Sequence, residues 1–178
     1  MIITTVTQVL LNRIDLGMTL PEAVAAPRAS QRNTVAVAAE EAFRSVHEAA
    51  MQVIAARVAE WGLLPVTADE ALDADRGGQH RRYMVHGTSH HLGIDVHDCA
   101  QARRENYMDG ELKPGMILTV EPGLYFKADD ELVPDELRGV GVRIEDDVLV
   151  TEDGYENLSA ALPRTPDDVE RWMSSLLS

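Results

Sequence analysis

Four of the chain's six histidines lie between residues 86 and 97. They fall in the run Met84-Val85-His86-Gly87-Thr88-Ser89-His90-His91-Leu92-Gly93-Ile94-Asp95-Val96-His97-Asp98, and no other stretch constrains the fold as much. His86 and His90 are four apart, which is a helical spacing. Gly87, Thr88, Ser89 and Gly93 oppose a helix, because glycine costs backbone entropy and hydroxyls compete for the helical hydrogen bonds. The run therefore reads as a glycine-punctuated loop entering a short extended segment, Leu92 to Val96. Such a loop can aim imidazoles at one point, as metal binding and proton transfer require. A lone histidine is usually a hydrogen-bonded structural residue. Four within twelve positions point to a site.

A chain of 178 residues is long enough to bury the core of one domain. Its net charge of −14 opposes nucleic acid or an anionic membrane as partner, since both select basic surfaces. The single cysteine, Cys99, allows no internal disulfide and suits a reducing compartment. No run approaches the roughly 20 apolar residues of a membrane span. The N-terminus lacks the cationic start and apolar core of a signal peptide, so a cytoplasmic protein is expected.

Taken in order, Ile3, Val6, Val9, Leu10 and Ile14 recur at helical spacing over Ile2 to Leu16, with Gly17 as a stop. Thr19 can cap a short second helix through Ala25, with Pro21 in its first turn and Pro27 ending it. The strings Ile2-Ile3-Thr4-Thr5-Val6, Ile14-Asp15-Leu16-Gly17-Met18 and Pro21-Glu22-Ala23-Val24-Ala25-Ala26-Pro27-Arg28 resemble a late part of gamma-glutamyltransferases, up to about Phe43. That family's nucleophilic threonine has no counterpart in this stretch, so the resemblance implies ancestry without gamma-glutamyl chemistry.

The longest helical pattern runs from Ala38 to Trp61, with Phe43, Val46, Ala50, Val53, Ile54, Val58 and Trp61 on one face. Gly62 stops it, and Thr67-Ala68-Asp69-Glu70 fits a capping box. The acids around it read as a solvated helix face. Met116 to Val120 is a short strand, ended by Glu121-Pro122-Gly123, where a carboxylate can sit either at the floor of a cleft or at a solvated strand end. Val140 to Val150 reads as one further strand. Alternation puts Val142, Ile144 and Asp146 on one face and Arg143, Glu145 and Asp147 on the other. Tyr155 to Leu158 can pair as a last strand, and Thr165-Pro166-Asp167-Asp168 opens a terminal helix.

Imidazoles and carboxylates drawn from separate elements suit a divalent ion such as manganese, cobalt or zinc, and hence hydrolysis. Ser89 is a poor nucleophile, because it lacks the G-x-S-x-G turn and adjoins His90 in the chain. Cys99 is poor as well: the neighbouring Asp98 raises the thiol's pKa.

Three ordered motifs carry a second resemblance: His86 to Asp98, Leu112-Lys113-Pro114-Gly115-Met116-Ile117-Leu118-Thr119-Val120-Glu121-Pro122-Gly123-Leu124-Tyr125, and Gly141 to Asp147. They resemble the aminopeptidase P (Xaa-Pro aminopeptidase) branch of the M24 metallopeptidases, over about residues 44–164. The resemblance implies an α+β fold, part of a pita-bread (creatinase/aminopeptidase-like) domain over residues 44–178 behind an N-terminal helical segment, residues 1–43. It implies two adjacent divalent ions, usually manganese, and a peptide substrate with proline at its second position. His90, Glu121 and Glu145 match metal ligands, with Glu145 in the bridging position. His86 and His97 match histidines that bind substrate and move protons, while Arg143 and Tyr125 match a supporting pair. The Glu121-like carboxylate shuttles the proton in that family. Two further aspartate ligands of the family have no match, since Asp15 is the only aspartate before Asp69 and lies in a predicted helix. The expectation is one weakened metal site, with Xaa-Pro cleavage absent or very slow, or else a non-catalytic binding module. Losing early strands leaves a sheet edge open, which predicts self-association.

Overall fold

The computed structural model describes residues 41–177, and the predicted helices over Ile2 to Ala25 lie outside them. Helix α1, Arg44–Glu60, is the element on which the rest packs. It buries Val46, Ala50, Met51, Ile54, Ala55 and Val58 on one stripe, and truncating a residue so placed to alanine costs about 2–5 kcal/mol for Ile or Met. The helix starts later than its apolar pattern implies. Phe43 N–H is bonded to the Gly110 carbonyl and Leu112 N–H to the Glu41 carbonyl, so Ala42 bridges to Glu111 and is held out of the helix, which Phe43 caps. Gly62 ends it with φ +70°, as the sequence predicts. Helix α2, Ala68–Leu72, carries the full capping box between Thr67 and Glu70.

Strands β1 (His91–Leu92), β2 (Ile117–Val120), β5 (Asp146–Thr151) and β6 (Gly154–Asn157) form an antiparallel sheet in the order β1-β2-β5-β6. Strands β3 (Gly123–Tyr125) and β4 (Gly141–Arg143) form a separate antiparallel pair. The start of α1 covers one face of the larger sheet, where Phe43 and Val46 pack with Leu118, Val148 and Val150. The rest of α1 covers the β3–β4 pair, where Met51, Ile54 and Val58 pack with Tyr83, Met84, Leu124 and Phe126.

Two strand expectations need correction. The extended segment predicted over Leu92 to Val96 stops at Leu92, because Asp98 N–H bonds back to the His91 carbonyl and Gly93 N–H to the Asp95 carbonyl. Gly93 permits that loop: a Cβ there would stand 2.3 Å from the Asp98 carboxylate. The single strand predicted over Val140 to Val150 is two, since β4 pairs with β3 and β5 with β2. Its alternation survives the break, with Asp146, Val148 and Val150 buried and Arg143 and Glu145 exposed.

Helix α3, Pro166–Leu177, closes the described chain, and Asp168 N–H donates to the Thr165 hydroxyl as a cap. Its Val169, Trp172, Met173 and Leu176 form an exposed apolar stripe. None of the described helices is long and apolar enough to cross a membrane.

Candidate metal centre

The histidine loop is laid onto β2 like an additional strand. His91 pairs with Leu118 and Leu92 with Ile117. In the same register, Thr119 N–H donates to the His90 carbonyl and Glu121 N–H to the Thr88 carbonyl. His90 is therefore opposite Thr119, and Glu121 shares their face two residues on, by the period of an extended chain. On the other side of β2, Thr119 pairs with Asp147 and Val120 with Asp146, so the next step sets Glu145 opposite Glu121. In the β3–β4 pair Arg143 is opposite Gly123, and Gly141 is opposite Tyr125. Alternation and pairing register together bring His90, Thr119, Glu121, Arg143 and Glu145 to one side of the paired strands, with Tyr125 beside them.

Ligand atoms of His90, Glu121 and Glu145 all lie within 4.8 Å of one another. The His90 Nε2 to Glu121 Oε1 distance is 3.3 Å, and these two side chains are 15% and 12% exposed. His90 Nδ1 is 3.2 Å from the His91 carbonyl, which can only accept, so Nδ1 carries a hydrogen and Nε2 is the ring atom turned toward the carboxylate. A cation between Nε2 and the carboxylate would draw a lone pair from each. Imidazole nitrogen with two carboxylates is a donor set suited to divalent first-row metals. Arg143 stands over both acids, with Nη1 3.7 Å from Glu121 Oε2 and Nε 3.9 Å from Glu145 Oε2.

His97 stacks edge-on to His90, ring centroids 4.5 Å apart. His86 donates to its own chain through Nδ1, 2.7 Å from the Gly87 carbonyl, and its Nε2 is hydrogen-bonded to the Tyr125 hydroxyl at 2.6 Å. His91 turns to the opposite face, between Phe43 and Tyr107, and burial lowers its pKa. Of the four clustered histidines, three face the site. Cys99 is exposed, and its hydrogen bond to Asp98 raises the thiol's pKa, in line with the sequence reading.

Several contributors escape the sequence reading. Buried Thr88 meets His47 of α1, Oγ1 to Nδ1 at 2.9 Å, which pins the loop to the helix. Burial, then the charge of Arg81, pushes the His47 pKa down, so its imidazole is neutral at pH 7. Gly123 and Gly141 form the floor beneath Tyr125. Thr119 touches two of the clustered residues. The one available signal was register: once His90 and Glu121 are set on adjacent strands, whatever alternates with them falls on their face.

Among known proteins, residues 15–152 match metallopeptidase family M24. The chain is 55% identical over 148 residues to Xaa-Pro aminopeptidase 1 of Streptomyces coelicolor, covering 83% of this chain and 30% of that protein. It is 59% identical over 133 residues to Xaa-Pro aminopeptidase 2 of the same organism, covering 75% and 28%. The solved structure of Pseudomonas aeruginosa aminopeptidase PepP superposes with a TM-score of 0.71 at 32% identity, over 98% of this chain and 34% of that one. The chain thus corresponds to part of a larger catalytic architecture, the pita-bread fold.

Proposed function

This chain belongs to metallopeptidase family M24, in its aminopeptidase P branch, and we propose that it is a metal-dependent domain whose reaction removes an N-terminal residue preceding proline. The observation that carries this reading is the convergence of His90, Glu121 and Glu145, with His90 Nε2 turned toward a carboxylate oxygen. Those three residues would hold a divalent ion, manganese by family resemblance. The ion would polarise the scissile carbonyl and acidify a water.

The remaining side chains have roles that follow from their contacts. Glu121, bounded by His90 and Arg143, is the carboxylate placed to move a proton. Tyr125 bonds His86 Nε2 and keeps that imidazole aimed. His97, against His90, faces the same opening. Arg143 offsets the charge that two glutamates bring to one place.

With three ligands among the described residues, the reading is one weakly held ion and very slow cleavage of Xaa-Pro peptides. A second reading is a non-catalytic binding module, favoured by a set of only three ligands among the described residues. The exposed stripe of α3 and the outer strands β1 and β6 support self-association. The free, exposed Cys99 fits a reducing cytoplasm. We place a boundary near residue 43, behind the gamma-glutamyltransferase-like segment, within a family match that begins at residue 15.

Calorimetric titration with Mn²⁺ and release of the first residue from a Xaa-Pro peptide test these readings together. One ion per chain, lost in His90→Ala and in Glu145→Ala, with slow release, is the expected result. Binding unchanged in both variants would remove this site from consideration. Bound metal with no release favours the module.

A further inference from the structure

Thr119 is 1% exposed in the middle of β2, and three of its contacts reach His90 and Glu121 of the proposed metal site. Its N–H donates to the His90 carbonyl at 2.9 Å. Its Oγ1 accepts from the His90 N–H at 3.0 Å. The same oxygen is 3.3 Å from Glu121 Oε1. A threonine hydroxyl has one hydrogen and two lone pairs. The His90 amide takes a lone pair, and an ionised carboxylate can only accept, so the hydroxyl hydrogen goes to Glu121.

We infer that Thr119 is a positioning residue for metal binding: one buried hydroxyl ties the main chain of His90 to the carboxylate of Glu121 and so sets the spacing of the two ligands before an ion arrives. This rests on the metal-site reading above. The oxygen it holds, Oε1, is the one 3.3 Å from His90 Nε2. The other oxygen, Oε2, faces Arg143. A glutamate has three side-chain torsions, and confining it in advance spares binding the cost of ordering it. Without the hydroxyl, the His90 amide and Glu121 Oε1 both lose a partner in a half-buried place, and each is free to turn elsewhere. The shape of the strand does not require a hydroxyl here. Valine would fill the same volume and suits a strand equally well.

The test is the Mn²⁺ affinity of the whole chain, measured by calorimetry for wild type and for Thr119→Val, Thr119→Ala and Thr119→Ser, with His90→Ala alongside. Partners that orient metal ligands are commonly worth about 10- to 100-fold in affinity. The expected result is that Val and Ala weaken binding by that range, while Ser, which keeps the hydroxyl, stays within about twofold of wild type. Hydrogen exchange at the His90 amide, read on metal-free protein, should quicken in Val and Ala and hold in Ser. If Val binds as wild type does while His90→Ala abolishes binding, the inference fails and the metal site stands. If His90→Ala leaves binding intact, the site reading fails and takes the inference with it. Should Val and Ala not melt cooperatively, Ser decides: retained affinity with unchanged exchange supports the role, and a tenfold loss overturns it.

Discussion

Tyr125 folds back over Gly123 so closely that a Cβ at position 123 would sit 2.5 Å from the tyrosine hydroxyl oxygen. Gly141, opposite Tyr125 on the partner strand, continues the floor, with a Cβ there 3.1 Å from the ring. Both glycines serve to bring one phenol within 2.6 Å of His86 Nε2.

Gly123→Ala should therefore displace Tyr125 and break its bond to His86, at a cost of about 1–3 kcal/mol for overpacking. Tyr125→Phe should break the same bond without the clash. Nitrogen NMR of the His86 ring would report an equal change in both, with urea unfolding shifted chiefly in Gly123→Ala. An unchanged His86 signal in Gly123→Ala would count against the glycine floor.

Asp130 and Arg82 tie the turn before the histidine loop to the segment joining β3 and β4, through two bonds of 2.5 Å. Those bonds, outweighing burial, lower the Asp130 pKa. A carboxyl with a depressed folded pKa stabilises above its unfolded pKa of roughly 3.9, and that contribution fades as pH falls through the folded value. Asp130→Asn should lower Tm at pH 7, and the gap from wild type should close in strong acid. A gap that does not change with pH would refute the pairing as its source.

Asp146, 1% exposed beside Glu145, accepts through Oδ1 from Arg164 and from Ser159, each at 2.5 Å. Its Oδ2 is buried with no partner among the described residues, where Arg164 and Ser159 supply its side-chain pairing. Arg164→Ala strands a buried carboxylate and should cost about 3–5 kcal/mol in urea unfolding. Adding Asp146→Asn removes the stranded charge, so the double variant should recover part of the loss. No recovery would place the cost elsewhere.

The stripe of Val169, Trp172, Met173 and Leu176 is 37% to 67% exposed on a helix of 12 residues, a length that is marginal without packing. Sedimentation velocity should show self-association that weakens at least about tenfold in a Trp172→Glu, Leu176→Glu chain, equivalent to ~1.4 kcal/mol. Association indifferent to both changes would direct attention to the outer strands β1 and β6 instead.

The sequence by itself determined what is local. The capping box at Thr67, the stop at Gly62 and the buried stripe of α1 depend on residues within a turn or two of each other, so the helical pattern is enough to read them. Strand alternation likewise put Arg143 and Glu145 on the face opposite Asp146, and the residues gathered at the site were legible through their motifs. Tertiary structure decided what depends on a second chain segment. The chain breaks between β4 and β5 because two different strands claim its two ends, and no property of residues 140–150 announces that. His91 leaves the cluster because β2 fixes its register, and an aromatic pocket made by Phe43 and Tyr107 receives it. Thr119 and Gly123 look ordinary in the sequence. Their importance comes from standing opposite His90 and beneath Tyr125, and only pairing across strands sets who stands opposite whom.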